Sequence, residues 1–135
     1  MTGEVQRFTG DPPSPWEERF GYSRAVIAGG LLHVGGTTAV GPLGGIVGES
    51  AYEQMAECLR KVLHELGRRG ASAEDLVAVR AYVTDISRHE EICRAFAEAL
   101  GDVRPLFTMV EVAALIDPRM CVEIEASATT RSATA

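Results

Sequence analysis

The spacing of apolar and polar positions changes period several times along the chain, and each change marks an element. Ser50-Ala51-Tyr52-Glu53 has the S-x-x-E form of a capping box, and Ala51, Met55, Cys58, Leu59, Val62, Leu63 and Leu66 then recur at helical spacing. This predicts an amphipathic helix that ends near Gly67 to Gly70, where Arg68 and Arg69 complement the negative end of the helix dipole. Ser87-Arg88-His89-Glu90 repeats the capping-box form, and Ile92, Phe96, Ala99 and Leu100 predict a second amphipathic helix closed by Gly101. Elsewhere the period is two. Pro105-Leu106-Phe107-Thr108-Met109-Val110-Glu111-Val112 and Cys121-Val122-Glu123-Ile124-Glu125-Ala126 alternate as strands do. The second sets its carboxylates on one face and Val122, Ile124 and Ala126 on the other.

The remaining segments fill in around these. Residues 4 to 9 predict a short first strand, and Gly10-Asp11-Pro12-Pro13-Ser14-Pro15 a rigid loop that Trp16 to Phe20 continue. Gly21 to Ala28 and Leu31 to Thr38 read as two strands of an antiparallel hairpin turning at Gly29-Gly30. Gly35-Gly36 inside the returning strand is costly there and marks a bulge or a close approach of another group. Residues 39 to 49 hold four of the fourteen glycines and form a loop; without GxxxxGK[ST], or GxGxxG between strand and helix, phosphate cradling is a weak reading. Leu76 to Ile86, rich in β-branched and aromatic residues, is a third main strand, and Ile116 to Arg119 turn the chain into the last one.

The order strand, hairpin, helix, strand, helix, two strands predicts a two-layer α+β domain with two helices on one face of a mixed sheet. The other face then combines the acidic positions of the last strand with apolar neighbours, with Phe107, Met109 and Leu115 alternating onto one face of the adjacent strand. A subunit interface containing a polar pocket would present such a surface.

The chain has 135 residues, 46% of them hydrophobic, which suits a single domain spanning 1–135, with 1–3 and 129–135 expected to fray. A net charge of -6 argues against a general nucleic-acid surface, since phosphate neutralisation needs clustered Lys and Arg, and Lys61 is the sole lysine. Cys58, Cys93 and Cys121 are odd in number and far apart, as for reduced thiols in a cytoplasmic protein. His33, His64 and His89 are scattered and nothing has zinc-ligand spacing, so no metal is expected. No apolar segment approaches the length of a membrane span.

Taken together, GYSRAV at 21–26, LLHVGGTTA at 31–39, the G-x-x-G-x loop at 44–48, the run from 53 to 86 and RPLFTMVEVAALIDPRMCVEIEASA at 104–128 resemble the RidA/YjgF family of small trimeric proteins. The resemblance implies a chorismate-mutase-like fold, assembled as a homotrimer whose sheets form an inner barrel, with three clefts between subunits. It also implies hydrolysis of reactive enamines and imines such as 2-aminoacrylate, with no metal or cofactor. Carried over position by position, Tyr22 matches the family's cleft tyrosine, Gly36 the glycine whose turn offers a backbone amide, and Glu123 the glutamate that orients or activates water.

Phe107 stands where the family has a carboxylate-clamping arginine, which removes a charge-assisted contact worth about 1.5–3 kcal/mol. Gly35 replaces a usual serine, Thr37 a common glutamine, and Arg24 the glutamine of deaminating members. Arg24, two residues from Tyr22, is placed on the same strand face and either reaches the cleft or makes an inter-subunit salt bridge; Arg104 either substitutes for the arginine or is a surface or interface charge. Glu123 either serves the site or holds a neighbouring subunit's amides, while Glu111 and Glu125 read as interface or solvated residues.

The expected site is therefore Glu123 as catalytic group with Tyr22, Arg24, Gly36, Thr37, Phe107 and Met109 around the ligand. Two functions follow: hydrolysis of a larger or less acidic imine in a cleft lined by Phe107 and Met109, or binding of a small aromatic or keto compound without turnover. RNA cleavage, attached to relatives by name, ranks last on charge and on the missing base-stacking features.

Overall fold

The computed structural model describes residues 3–130. Its backbone of secondary structure is one six-stranded sheet in the order β1-β2-β3-β6-β4-β5, formed by Gln6–Phe8, Ala25–Ala28, Leu31–Thr37, Val122–Thr129, Leu76–Val83 and Leu106–Glu111 respectively. All pairings are antiparallel except β4 with β5, which run parallel. That exception follows from the connection, because the chain leaves β4 and crosses back through a helix before entering β5.

Two long helices, α2 (Ala51–Arg68) and α3 (His89–Leu100), pack against each other, and α2 lies on β3 and β6. The period-two pattern of β6 explains the layering. Val122, Ile124, Ala126 and Ala128 are at most 1% exposed, and they join Met55, Cys58, Leu59, Val62 and Leu66 of α2 in one core. Each fully buried Leu, Ile, Val or Met of this kind contributes about 1.5–3 kcal/mol of transfer free energy. The thiol of Cys58, enclosed there, is pushed up to about 12 by burial, so it behaves as a small apolar group.

The mixed α+β architecture with two helices on one face is as the sequence predicts, and so are the Gly29-Gly30 hairpin turn, with φ of 58° and 79°, and the irregular register at Gly35-Gly36, between Val34 and Thr37. The capping box at Ser50 also forms, through Glu53 N donating to Ser50 Oγ and Glu53 Oε1 accepting from Ser50 N.

Four local expectations need correction. Trp16 to Phe20 do not continue the loop; Pro15–Phe20 is a short helix, α1. Ser14 caps it, Pro15 occupies its first turn, and the carboxylate of Glu17, 5% exposed, accepts from Gly10 N and Ser14 N at 2.9 Å each. Ser87 does not cap α3: Asp85 caps a short 3-10 turn over Ile86–Arg88, and Arg88 precedes the helix without a side-chain cap. β4 stops at Val83 rather than Ile86, because Asp85 begins that turn. β2 starts at Ala25, so Tyr22 and Arg24 precede the strand. Of the termini expected to fray, Thr129 ends β6 and Thr130 N donates to Gly30 O at 3.1 Å; residues 1, 2 and 131–135 lie outside the described residues.

Candidate functional site

With both long helices on one face of the sheet, the other face shows its side chains to the outside. Cross-strand register arranges them in rows. Tyr82 of β4 lies between Glu123 of β6 and Val110 of β5; in the next row Arg80 lies between Glu125 and Thr108. One row further, Ala78 lies between Ser127 and Leu106, and Ser127 faces His33 of β3. The rows are polar at the centre and apolar along β5, where Leu106 is 70% and Val110 44% exposed.

Hydrogen bonds tie most of the polar centre together. Tyr82 Oη donates to Glu125, whose carboxylate also meets Arg80 Nε at 3.4 Å, and His33 Nδ1 sits 3.1 Å from Ser127 Oγ. The Tyr82 phenol is raised above its ordinary range chiefly by the hydrogen bond to Glu125.

Glu123 is different. Among the described residues its carboxylate has no hydrogen-bond partner, and it lies directly against Gly36 in the irregular stretch of β3. A Cβ at position 36 would sit 3.3 Å from Glu123 Cδ and would overlap Oε2 outright. Glycine at 36 is thus what lets the carboxylate occupy its position. Half-buried and next to Glu125, the Glu123 carboxyl is raised above its usual range, by burial first and by the neighbouring charge second. A concavity of about 330 Å³ opens at this point, lined by Gly36, Glu123, Glu125, Tyr82, Val112 and Leu115.

The expected site residues divide between the two faces. Glu123 and Gly36 come together at the concavity. Phe107 and Met109, half-buried, pair in register with the buried Val79 and Ala81 and pack on the helix-side core, so they face away from Glu123. Phe107 stacks on Phe96 of α3, with centroids 4.1 Å apart and planes 9° from parallel. Thr37 is 2% exposed and its hydroxyl donates to Gly35 O at 2.8 Å, which withdraws it from the concavity.

Tyr22 is 52% exposed in the turn after α1. Arg24 is half-buried, bonds Gly35 O through Nη1 at 3.1 Å, and has its strongest charge interaction with Glu65 of α2. Its guanidinium therefore belongs to the helix side, away from the face on which Tyr82 and Glu125 meet Glu123. Arg104 is exposed at a turn with φ 59° and bonds the end of α3 through its backbone.

Arg80 and Tyr82 were not singled out from the sequence. The signal was present: they stand two apart in LVAVRAYV, so a polar pair shares one face of a strand whose other face is Val79, Ala81 and Val83. What the pattern could not supply was their register against Glu125 and Glu123. Among the described residues no group of three or more His, Cys, Asp or Glu side chains could hold a metal ion.

The family model described as Endoribonuclease L-PSP matches residues 15–130. The chain belongs to this family, the YjgF/Rid group. A crystal structure of a YjgF/YER057c/UK114 family member from Mycobacterium tuberculosis is 41% identical, covers 93% of this chain and 99% of that one, and superimposes with a TM-score of 0.82. An uncharacterised protein of Streptomyces coelicolor is 34% identical over 130 residues, 95% of each chain. A RutC family protein of Pyrococcus horikoshii is 31% identical, over 90% of this chain and 94% of that protein. The family match over residues 15–130 includes the open-face residues of β3, β4, β5 and β6 named above. No helix among the described residues is long and apolar enough to cross a membrane.

Proposed function

We propose that this Rid-family protein takes a small metabolite in clefts between the subunits of a homotrimer and hydrolyses an enamine or imine other than 2-aminoacrylate, with Glu123 moving the protons. One observation carries the reading: a half-buried carboxyl, raised above its ordinary pKa and free of hydrogen bonds among the described residues, lies against Gly36 at the wall of a concavity. An upward shift brings the carboxyl closer to the pKa that suits a group which must both accept and give a proton. In imine hydrolysis the water oxygen bonds to the imine carbon as one of its protons passes to the Glu123 carboxylate. The imine nitrogen takes a proton from the same carboxyl. The carbinolamine hydroxyl then passes its proton through Glu123 to the nitrogen, the C–N bond breaks to release ammonia, and the C–O bond becomes a carbonyl, with no change of oxidation state overall.

The homotrimer reading rests on the open sheet face. Leu106 and Val110 form an exposed apolar edge beside Arg80 and Glu125. Covering this face with other copies would bury the edge, bring the sheets together as an inner barrel and close the Glu123 concavity into a cleft. The three free cysteines, Cys58, Cys93 and Cys121, agree with a cytoplasmic location.

Non-catalytic binding is the second reading, favoured by Phe107: an aromatic ring stacked on Phe96 cannot clamp a substrate carboxylate as an arginine would. RNA cleavage, despite the family model's description, ranks last. The open face carries Glu123 and Glu125, and the chain's net charge is -6, both unfavourable to a phosphate backbone.

The test is ammonia release from 2-imino acids generated in place by an amino-acid oxidase, across aliphatic and aromatic side chains. Turnover of at least one imine that falls about 100-fold or more in Glu123→Gln supports the enzyme. Thermal stabilisation by a metabolite with no product supports the binding module, and efficient 2-aminoacrylate turnover overturns the proposed selectivity.

A further inference from the structure

A second and larger hollow, about 890 Å³, lies on the helix side of the sheet, between the segment from Gly10 to Glu17, the loop from Val40 to Ile46, and the outward face of α2. Its wall is apolar in good part, through Pro12, Pro13, Trp16, Pro42, Ile46 and Met120. Of the four cations that line it, Arg60 and Arg68 pair with Glu57 and Glu65, which leaves Arg24 and Lys61, both half-buried. Their protein partners are carbonyls: Arg24 Nη1 donates to Gly35 O at 3.1 Å, and Lys61 Nζ to Thr38 O at 2.7 Å and Val40 O at 2.9 Å.

The carboxylates on the same wall accept their hydrogen bonds from other groups; Glu65 and Glu17 offset part of the Arg24 charge from a distance, and burial outweighs them. Glu65 holds Arg68 and Arg69 at 2.9 Å each, Glu57 holds Arg60 at 2.7 Å, Asp117 holds Arg119 at 2.7 Å, and Glu17 accepts from Gly10 N and Ser14 N. Asp11, at the rim, is exposed. Arg24 and Lys61 each have their pKa lowered, burial being the largest cause for both, and for Lys61 the charge of Arg24 adds to it. Two neighbouring cations are thus held partly out of water with their positive charge incompletely offset, in a protein whose overall charge is negative.

We propose that this hollow is a second small-molecule site, separate from the Glu123 concavity, and that it takes a small carboxylate with an aromatic or branched apolar body. The remaining N–H groups of the Arg24 fork suit the two oxygens of a carboxylate, with the third Lys61 N–H beside them. Trp16, Pro42 and Ile46 contact the apolar body. A phosphate has more acceptor oxygens than these donors can satisfy, and a neutral ligand leaves the cations as poorly compensated as before.

Trp16 is the chain's single tryptophan and lines the hollow, so its fluorescence reports occupancy directly. Phenylacetate, phenylacetamide and inorganic phosphate are titrated into the full-length protein. Phenylacetate is expected to give a saturable change, with the amide at least tenfold weaker and phosphate without saturation. Arg24→Gln should weaken phenylacetate at least tenfold while leaving the amide unchanged, and Glu123→Gln should leave the titration as in the wild type. If Arg24→Gln does not fold, the wild-type comparison of acid with amide still decides. Equal affinity for acid and amide, no saturation by phenylacetate, phosphate binding as tight as phenylacetate, or loss of the response in Glu123→Gln would overturn the proposal. The last outcome would assign the carboxylate to the Glu123 concavity instead.

Discussion

Gly36→Ala isolates the contact on which the candidate site depends. Position 36 does not lie in the left-handed region of backbone space, so alanine is conformationally acceptable there and should gain about 0.4–1 kcal/mol by narrowing the unfolded ensemble. Against this, the added methyl overlaps Glu123 Oε2 and comes to 3.3 Å from Cδ. The overlapped atom is the end of a flexible side chain, so the carboxylate can swing away, at a cost of about 0.5–1.5 kcal/mol in rotamer strain. The two terms nearly cancel, and the substitution should change stability by no more than about 1 kcal/mol while moving the carboxylate off the concavity.

A double-mutant cycle separates the terms. In a Glu123→Ala background the overlap is gone and Gly36→Ala should stabilise by its full backbone gain, which leaves a coupling of about 0.5–1.5 kcal/mol between the two positions. Urea denaturation at one fixed protein concentration measures it. Turnover of an accepted imine should fall about 10²-fold or more in Gly36→Ala, as for loss of a positioned acid–base group. A coupling within about 0.3 kcal/mol of zero refutes the close approach of Glu123 to Gly36.

Glu123 itself should leave a signature in pH. Folding raises its pKa, so the folded state holds the proton more tightly than the unfolded one, and stability falls as pH rises from the ordinary carboxyl value of 4.5 through the raised value. Glu123→Gln should abolish that fall, seen as a smaller decrease in Tm between pH 4 and pH 8 than in the wild type. Glu17→Ala strands the amides of Gly10 and Ser14 and removes the capping box of α1, for an expected loss of about 1–3 kcal/mol by urea denaturation. Phe107→Ala removes the ring stacked on Phe96 and should cost about 2–4 kcal/mol, the half-exposed position setting the lower figure. Lys61→Met releases the carbonyls of Thr38 and Val40, and hydrogen exchange of the Val47 amide, which bonds Ala39 O, should accelerate.

The sequence by itself determined the elements whose pattern is long and strictly periodic. The α2 stripe from Ala51 to Leu66, the alternation of β6, and the paired glycines at 29–30 and 35–36 each specify their local structure, because burial of one face or freedom from a Cβ has a single local solution. Motif order also carried the family, and the family model spans residues 15–130. Short elements depended on chemistry too brief to register as a period. Ser14-Pro15-Trp16-Glu17 is a capping box ahead of one helical turn, and the same form at Ser87 is bypassed because Asp85 caps first.

Tertiary structure alone decided which side chains meet. Whether Arg24 joins Glu123 turns on where β2 begins; since the strand starts at Ala25, the guanidinium lies on the helix side near Glu65. Phe107 shares a strand with exposed Leu106 and Val110, yet its register opposite Val79 sends it under α3. The approach of Glu123 to Gly36 crosses the β3–β6 pair at an irregular step, where no period in either strand alone specifies the partner. A strand pattern states which residues share a face; only the register and the covering helices state which face becomes core and which becomes a site.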